Sequence, residues 1–227
     1  MITILVIATN KYIEFVPPLI ESIQSHFLKG CEKQVVLFTN MDYERKDAYI
    51  IPIQHKPWPY MTLNRYFIFD MFKDYYKHSD CIFYIDADML VVNDVGEEIL
   101  GSGITAITHP YSPSRNISNT YETNKLSTAY VEDTSLINPY CCGGFQGGGA
   151  EAYLKMCKVL RDNIIKDAEN GIIARWHDET HFNKYLTENR PTILLSRDYC
   201  TPESEWKSNP SDNIKVLALD KNHKDYR

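Results

Sequence analysis

Apolar residues in this chain fall into short unbroken runs, separated by longer stretches in which they recur every three or four positions. Residues 2 to 9 form one apolar, β-rich run, and Val35-Val36-Leu37-Phe38-Thr39 forms a second that ends at the turn former Asn40. Continuous rather than alternating apolarity predicts strands covered on both faces, as in a parallel sheet. Between them, Pro17 and Pro18 sit where a helix tolerates proline, Leu19, Ile20, Ile23 and Phe27 follow as its apolar positions, and Gly30 is the stop. A longer helix is predicted from about Thr62 to Tyr76, with Leu63, Tyr66, Phe67, Phe69 and Phe72 along one side. It leads into Cys81-Ile82-Phe83-Tyr84-Ile85, the clearest central strand. Residues 104 to 108 and 192 to 196 add shorter strands, and 150 to 168 and 178 to 188 read as helices. Strands alternating with helices predict an α/β fold with a mostly parallel sheet. Residues 111 to 139 are polar and turn-rich, which predicts a long functional loop.

Composition narrows this picture. A chain of 227 residues with 44% hydrophobic and 12% aromatic residues has enough apolar material for a buried core, and one domain spanning 1–227 is expected. The 24 Lys plus Arg against 30 Asp plus Glu give a net charge of -6, which offers no basic footprint for nucleic acid. No apolar run approaches the roughly 20 residues of a membrane helix, so no membrane anchor is expected. The first apolar stretch, beginning at Met1, has neither the basic flank nor the cleavage site of a signal peptide. Six cysteines (Cys31, Cys81, Cys141, Cys142, Cys157 and Cys200) in such a chain suit reduced thiols, so a cytoplasmic setting is expected.

Four segments carry candidate chemistry. Asp86-Ala87-Asp88 directly follows the central strand, and ligands of open α/β sheets bind beyond the carboxyl ends of strands. Two carboxylates at i and i+2 there can reach a hard divalent cation carrying a diphosphate, although Asp also simply favours turns. In Trp176-His177-Asp178-Glu179-Thr180-His181 the two histidines are four apart, which raises a zinc-hydrolase reading; Asp178 stands where the zinc-protease motif needs Glu. Glu179 could instead serve as a carboxylate nucleophile or base, or belong to a solvated helix start. The run Cys142-Gly143-Gly144-Phe145-Gln146-Gly147-Gly148-Gly149 lacks the spacing of a nucleotide P-loop or dinucleotide site, leaving a flexible hinge or a close backbone approach to a ligand. Lys215, Lys221, Lys224 and Arg227 gather at the C-terminus, either as a solvated tail or as a segment that folds over an anion.

Together the ordered blocks resemble glycosyltransferase family 6, the family of the histo-blood-group A and B transferases and the α-1,3-galactosyltransferases. The likeness runs through Ala8 with Lys11-Tyr12, Asn64-Arg65, Asp86-Ala87-Asp88-Met89, His109-Pro110, Thr120-Tyr121-Glu122, Gly143-Gly144-Phe145, Trp176-His177-Asp178-Glu179, Asn183-Lys184-Tyr185 and Lys221-Asn222-His223. The resemblance implies a GT-A fold, a UDP-sugar donor (UDP-GalNAc or UDP-Gal), a saccharide acceptor and a retaining α-1,3 transfer. It implies that Ile7, Ala8, Thr9 and Tyr12 hold the uridine, and that Asp86, Ala87 and Asp88 hold the diphosphate with Mn²⁺ on Asp86 and Asp88. Arg65, Cys142, Gly143, Gly144 and Asp178 would surround the donor sugar, and Lys221 and Arg227 would close on the diphosphate. His109, Thr120, Trp176, His177 and Glu203 would face the acceptor, and Glu179 would be the catalytic carboxylate. Bacterial members that look metal-independent carry Asn at both aspartate positions; this chain keeps both, so it is expected to need a divalent cation. Gly144 at its small-residue position favours the bulkier N-acetyl donor. A soluble enzyme of bacterial or phage type is expected, with a non-catalytic saccharide-binding module as the alternative outside enzymes.

Overall fold

In the computed structural model, which describes residues 1–112, 120–133 and 139–226, the apolar runs become the strands of an α/β fold. In chain order the elements are β1 (Ile2–Ile7), α1 (Val16–His26), β2 (Lys33–Thr39), β3 (Tyr49–Pro52), α2 (Tyr60–Leu63), α3 (Arg65–Met71), β4 (Cys81–Ile85), β5 (Met89–Val91), β6 (Ile104–Thr108) and β7 (Cys141–Gly149). They continue as α4 (Ala150–Glu169), α5 (Asp178–Glu188), β8 (Ile193–Leu195), β9 (Thr201–Pro202), α6 (Glu203–Ser208) and β10 (Val216–Ala218). Seven strands form the central sheet in the order β3-β2-β1-β4-β7-β6-β8. β7 runs antiparallel to both β4 and β6, and the other neighbours are parallel, so the sheet is mostly parallel. A small sheet, β5-β10-β9, lies beside it.

Both faces of the sheet are covered, which explains the unbroken apolarity of β1, β2 and β4. Ile4, Val6, Phe83 and Ile85 join Leu19, Ile20 and Ile23 of α1 in one core. Leu5, Val36, Ile82 and Tyr84 face the opposite way, against Tyr66 and Phe69 of α3 and Tyr153 and Leu160 of α4. The alternation within each strand therefore divides two cores rather than core from solvent.

Two expectations are corrected. The helix anticipated over 62 to 76 is broken into α2, α3 and a 3₁₀ turn at Lys73–Tyr75. The break falls at Asn64, whose side-chain amide and backbone N–H both donate to the Tyr60 carbonyl, at 2.6 and 2.9 Å. The glycine run is no hinge: it forms most of β7, a buried central strand, despite the poor intrinsic strand preference of glycine. Its neighbours demand the missing side chains. A Cβ on Gly147 would lie 2.2 Å from Phe83 Cδ1, one on Gly149 would lie 2.4 Å from the Ser102 carbonyl oxygen, and Gly148 sits at φ 137°. Of the anticipated loop 111 to 139, residues 113–119 and 134–138 lie outside the described residues.

Candidate active site

The carboxyl ends of the parallel strands β1 and β4 open into a cleft, as the topology of such sheets dictates. Asp86 follows β4, its N–H donating to the Gly144 carbonyl at 2.7 Å, and its own carbonyl accepts from Met89 N–H at 3.1 Å to close a turn. This turn sends Asp86 and Asp88 into the cleft. The strand that follows, β5, pairs antiparallel with β10, and the Leu219 N–H donates to the Asp88 carbonyl at 2.8 Å. That pairing carries the C-terminal segment over the site, where the Lys221 ammonium meets the Asp88 carboxylate directly. Tyr226 then closes against Tyr12, their ring centroids 5.2 Å apart.

Across the cleft, α5 begins at Asp178 after His177, which is held in the left-handed region at φ 55°, a strained conformation for a non-glycine residue. Asp178 and Glu179 thus occupy the first turn of the helix, where its dipole favours negative charge. Glu179 Oε2 accepts from the Gly143 N–H at 2.9 Å, which ties the carboxylate to the open end of β7.

Arg65, at the start of α3, joins the two walls. The residue is 5% exposed, and its guanidinium donates to Asp86 Oδ1 at 3.0 Å and to the Gly143 carbonyl at 2.7 Å. It lies 2.9 Å from Asp178 Oδ2 and stacks 4.2 Å above the Tyr84 ring. Burial opposes the Arg65 charge, but Asp178 and Asp86 outweigh it and hold the group protonated. Burial also pushes the Asp178 carboxyl up to about 6; Arg65 pulls it down and Asp86 repels its charge. The Tyr84 hydroxyl, kept protonated by burial, donates to Asp86 Oδ1. Arg65 Nε and Asp178 Oδ2 are buried without a hydrogen-bond partner among the described residues, so the site has polar capacity left for a polar ligand.

The cleft has two adjoining recesses that share Trp58, Thr62, Arg65 and Asp86. Ile7, Thr9, Tyr12, Ala87, Asp88 and Lys221 line the first; Gly143, Gly144, Trp176, His177, Asp178 and Glu179 line the second. Other expected residues lie elsewhere. Ala8 is fully buried beneath the floor, its N–H bonded to the Phe38 carbonyl, and the Cys142 side chain belongs to the core against α1 rather than to the cleft wall. Glu203 is engaged by Lys207 and by the Asp220 N–H, so it anchors the C-terminal segment instead of lining the cleft. His109 stacks beside Tyr111 and Tyr140, and Thr120 is buried; neither lines the two recesses. Arg227 lies outside the described residues. The sequence reading missed His55, Lys56, Trp58 and Met61, all on the cleft wall. Their signal was a segment dense in His, Lys, Trp and Pro that follows no periodicity.

The zinc pairing is not formed. His177 precedes the helix and meets Trp58 edge to face at 4.9 Å, whereas His181 is 1% exposed and faces Asp167 at 3.6 Å. Among the described residues no three His, Cys, Asp or Glu side chains converge to hold a metal by themselves. Asp86 and Asp88 nevertheless suit a hard divalent cation, because both offer carboxylate oxygens to one recess and a diphosphate would bring further oxygen ligands.

Comparison with known proteins agrees with this arrangement. The family model described as glycosyltransferase family 6 matches residues 1–227. Histo-blood group ABO system transferase 1 of Rattus norvegicus is 30% identical over 236 residues, covering 98% of this chain and 67% of that protein. Globoside alpha-1,3-N-acetylgalactosaminyltransferase 1 of Homo sapiens is 27% identical over 231 residues, covering 97% of this chain and 66% of that protein. The O-antigen biosynthesis glycosyltransferase WbnI of Escherichia coli is 26% identical over 227 residues, covering 97% and 95% respectively. With the whole chain matched and the cleft lying where a mostly parallel sheet places its ligand, this protein belongs to glycosyltransferase family 6.

Proposed function

We propose that this glycosyltransferase moves N-acetylgalactosamine from UDP-GalNAc to a saccharide hydroxyl, with retention and an α-1,3 linkage. The observation that carries the reading is the joining of a diphosphate-type recess to a carboxylate-lined recess through the buried guanidinium of Arg65. Ile7, Thr9 and Tyr12 would hold the uridine end, and Lys221 would pass from Asp88 to the departing diphosphate as negative charge develops there. Mn²⁺, held by Asp86 and Asp88, would supply Lewis-acid stabilisation of the leaving UDP. Asp178 Oδ2, ion-paired with Arg65 yet making no hydrogen bond among the described residues, is suited to accept from a donor-sugar hydroxyl. Glu179, fixed by the Gly143 N–H, would face the positive charge that grows at the anomeric carbon.

The choice of donor is supported by relatives named as α-1,3-N-acetylgalactosaminyltransferases. The test is UDP release from a panel of UDP-sugars, in Mn²⁺ and in EDTA. UDP-GalNAc is expected to react fastest and EDTA to abolish release. Glu179→Gln should lower the rate by orders of magnitude while UDP still binds. Full activity in EDTA would remove the metal from the reading, and an unchanged rate in Glu179→Gln would remove the catalytic carboxylate.

A further inference from the structure

Residues 120–131 are fastened to the rest of the fold by two buried carboxylates. Asp167, near the end of α4, accepts from the Ser127 hydroxyl at 2.5 Å and the Thr128 N–H at 2.7 Å. Glu122, 9% exposed, accepts from the N–H groups of Thr123 and Asn124 with Oε1, both at 2.8 Å. Its Oε2 reaches out of the segment and accepts from the Arg175 N–H at 2.8 Å. Arg175 belongs to the turn that delivers Asp178 and Glu179. Inside that turn, His177 N–H donates to the Ala174 carbonyl at 2.9 Å and Trp176 N–H to Thr180 Oγ1 at 2.8 Å. The turn ends in the strained backbone of His177, a conformation that persists only where its surroundings over-determine it.

We propose that Glu122 is a positioning residue for the reaction: through the Arg175 N–H it sets the turn that aims Glu179, and it locks the 120–131 segment to the catalytic helix start as one piece. The inference rests on the reading of Glu179 as the catalytic carboxylate. An ionised carboxylate is chemically suited to the task because it offers only acceptors, and three N–H groups converge on it. Glutamine has the same shape, but its amide nitrogen cannot accept, so one of the three N–H groups must face a donor.

The test uses the full chain and UDP release from UDP-GalNAc or UDP-Gal without acceptor, in Mn²⁺, beside calorimetric titration of UDP and thermal melting. Glu122→Gln is expected to lower kcat at least about tenfold, the scale of a sub-ångström misplacement of a reacting group, with the Kd for UDP within about twofold of wild type. Glu122→Asp keeps the charge and the two local bonds but falls one methylene short of Arg175, and should show the same division. Ser127→Ala removes a buried bond to Asp167 in the same segment without touching Arg175, so its kcat should stay within about twofold even where its melting temperature falls as far. The proposal fails if the Glu122 variants keep kcat, if UDP affinity falls in step with it, or if Ser127→Ala loses as much. Wild-type protein that releases no UDP from either donor would overturn the proposed function and this inference with it.

Discussion

Replacing Gly144 by alanine tests whether the site depends on one missing side chain. A Cβ at this position would sit 2.6 Å from Asp86 Oδ2 and 3.1 Å from Met89 Cε. Restoring ordinary contact at 3.4 Å requires a shift of about 0.8 Å from the Asp86 carboxylate, which cannot give way freely. The Gly144 carbonyl holds the Asp86 N–H at 2.7 Å, so the backbones are tied. The Asp86 carboxylate is itself fixed by Arg65 at 3.0 Å and by the Tyr84 hydroxyl, so moving it disturbs a partly buried ion pair. Overpacking of this kind costs about 1–3 kcal/mol of stability. Misplacing the carboxylate proposed to hold Mn²⁺ by nearly 1 Å should lower turnover about 10- to 100-fold. The assay is UDP release from UDP-GalNAc and UDP-Gal across a Mn²⁺ titration. Both donors should lose activity, and half-saturation by Mn²⁺ should move to higher concentration. Unchanged turnover of UDP-Gal with unchanged Mn²⁺ dependence would refute the reasoning and leave Gly144 as a provider of donor space alone.

Two further predictions concern pH. Because burial raises the Asp178 carboxyl to about 6, its ionised form, which faces Arg65 and feels Asp86, is reached only above that value. Donor turnover should therefore rise with pH through an acid limb near 6 that Asp178→Asn lacks; the same limb in the variant would exclude Asp178 as its origin. His181 is shifted the opposite way: burial lowers it to about 4 although Asp167 and Glu122 favour its protonated form. A lowered folded-state value means that the unfolded chain takes up the proton first. The stabilising contribution is then complete above the ordinary value of 6.5 and is lost as pH falls through about 4. Melting temperature should drop over that window in wild type and less in His181→Gln, provided the variant is folded at pH 7.5.

The sequence by itself determined the apolar strands, because a strand buried on both faces must be apolar throughout, and β1, β2 and β4 have no other way to sit between two cores. It also located Asp86 and Asp88, since carboxylates directly after such a strand emerge at the sheet's ligand-binding edge. Asp178 and Glu179 were legible for a related reason: acidic residues opening an amphipathic stretch mark a helix start. What only the tertiary structure decided depends on contacts between distant segments. The glycines of β7 are explained by Phe83 and Ser102, not by their own conformational freedom. Cys142 lies one position before Gly143, yet the strand's alternation turns its side chain into the core, where no motif could place it. Glu203 was drawn away by Lys207 and the Asp220 N–H, and His55, Lys56 and Trp58 reached the cleft through an aperiodic segment. Arg65 shows the division most plainly. As a residue it is one basic side chain on a helix, and it becomes the hinge of the site only because folding buries it between Asp86 and Asp178, where a buried cation needs carboxylate partners to hold its charge.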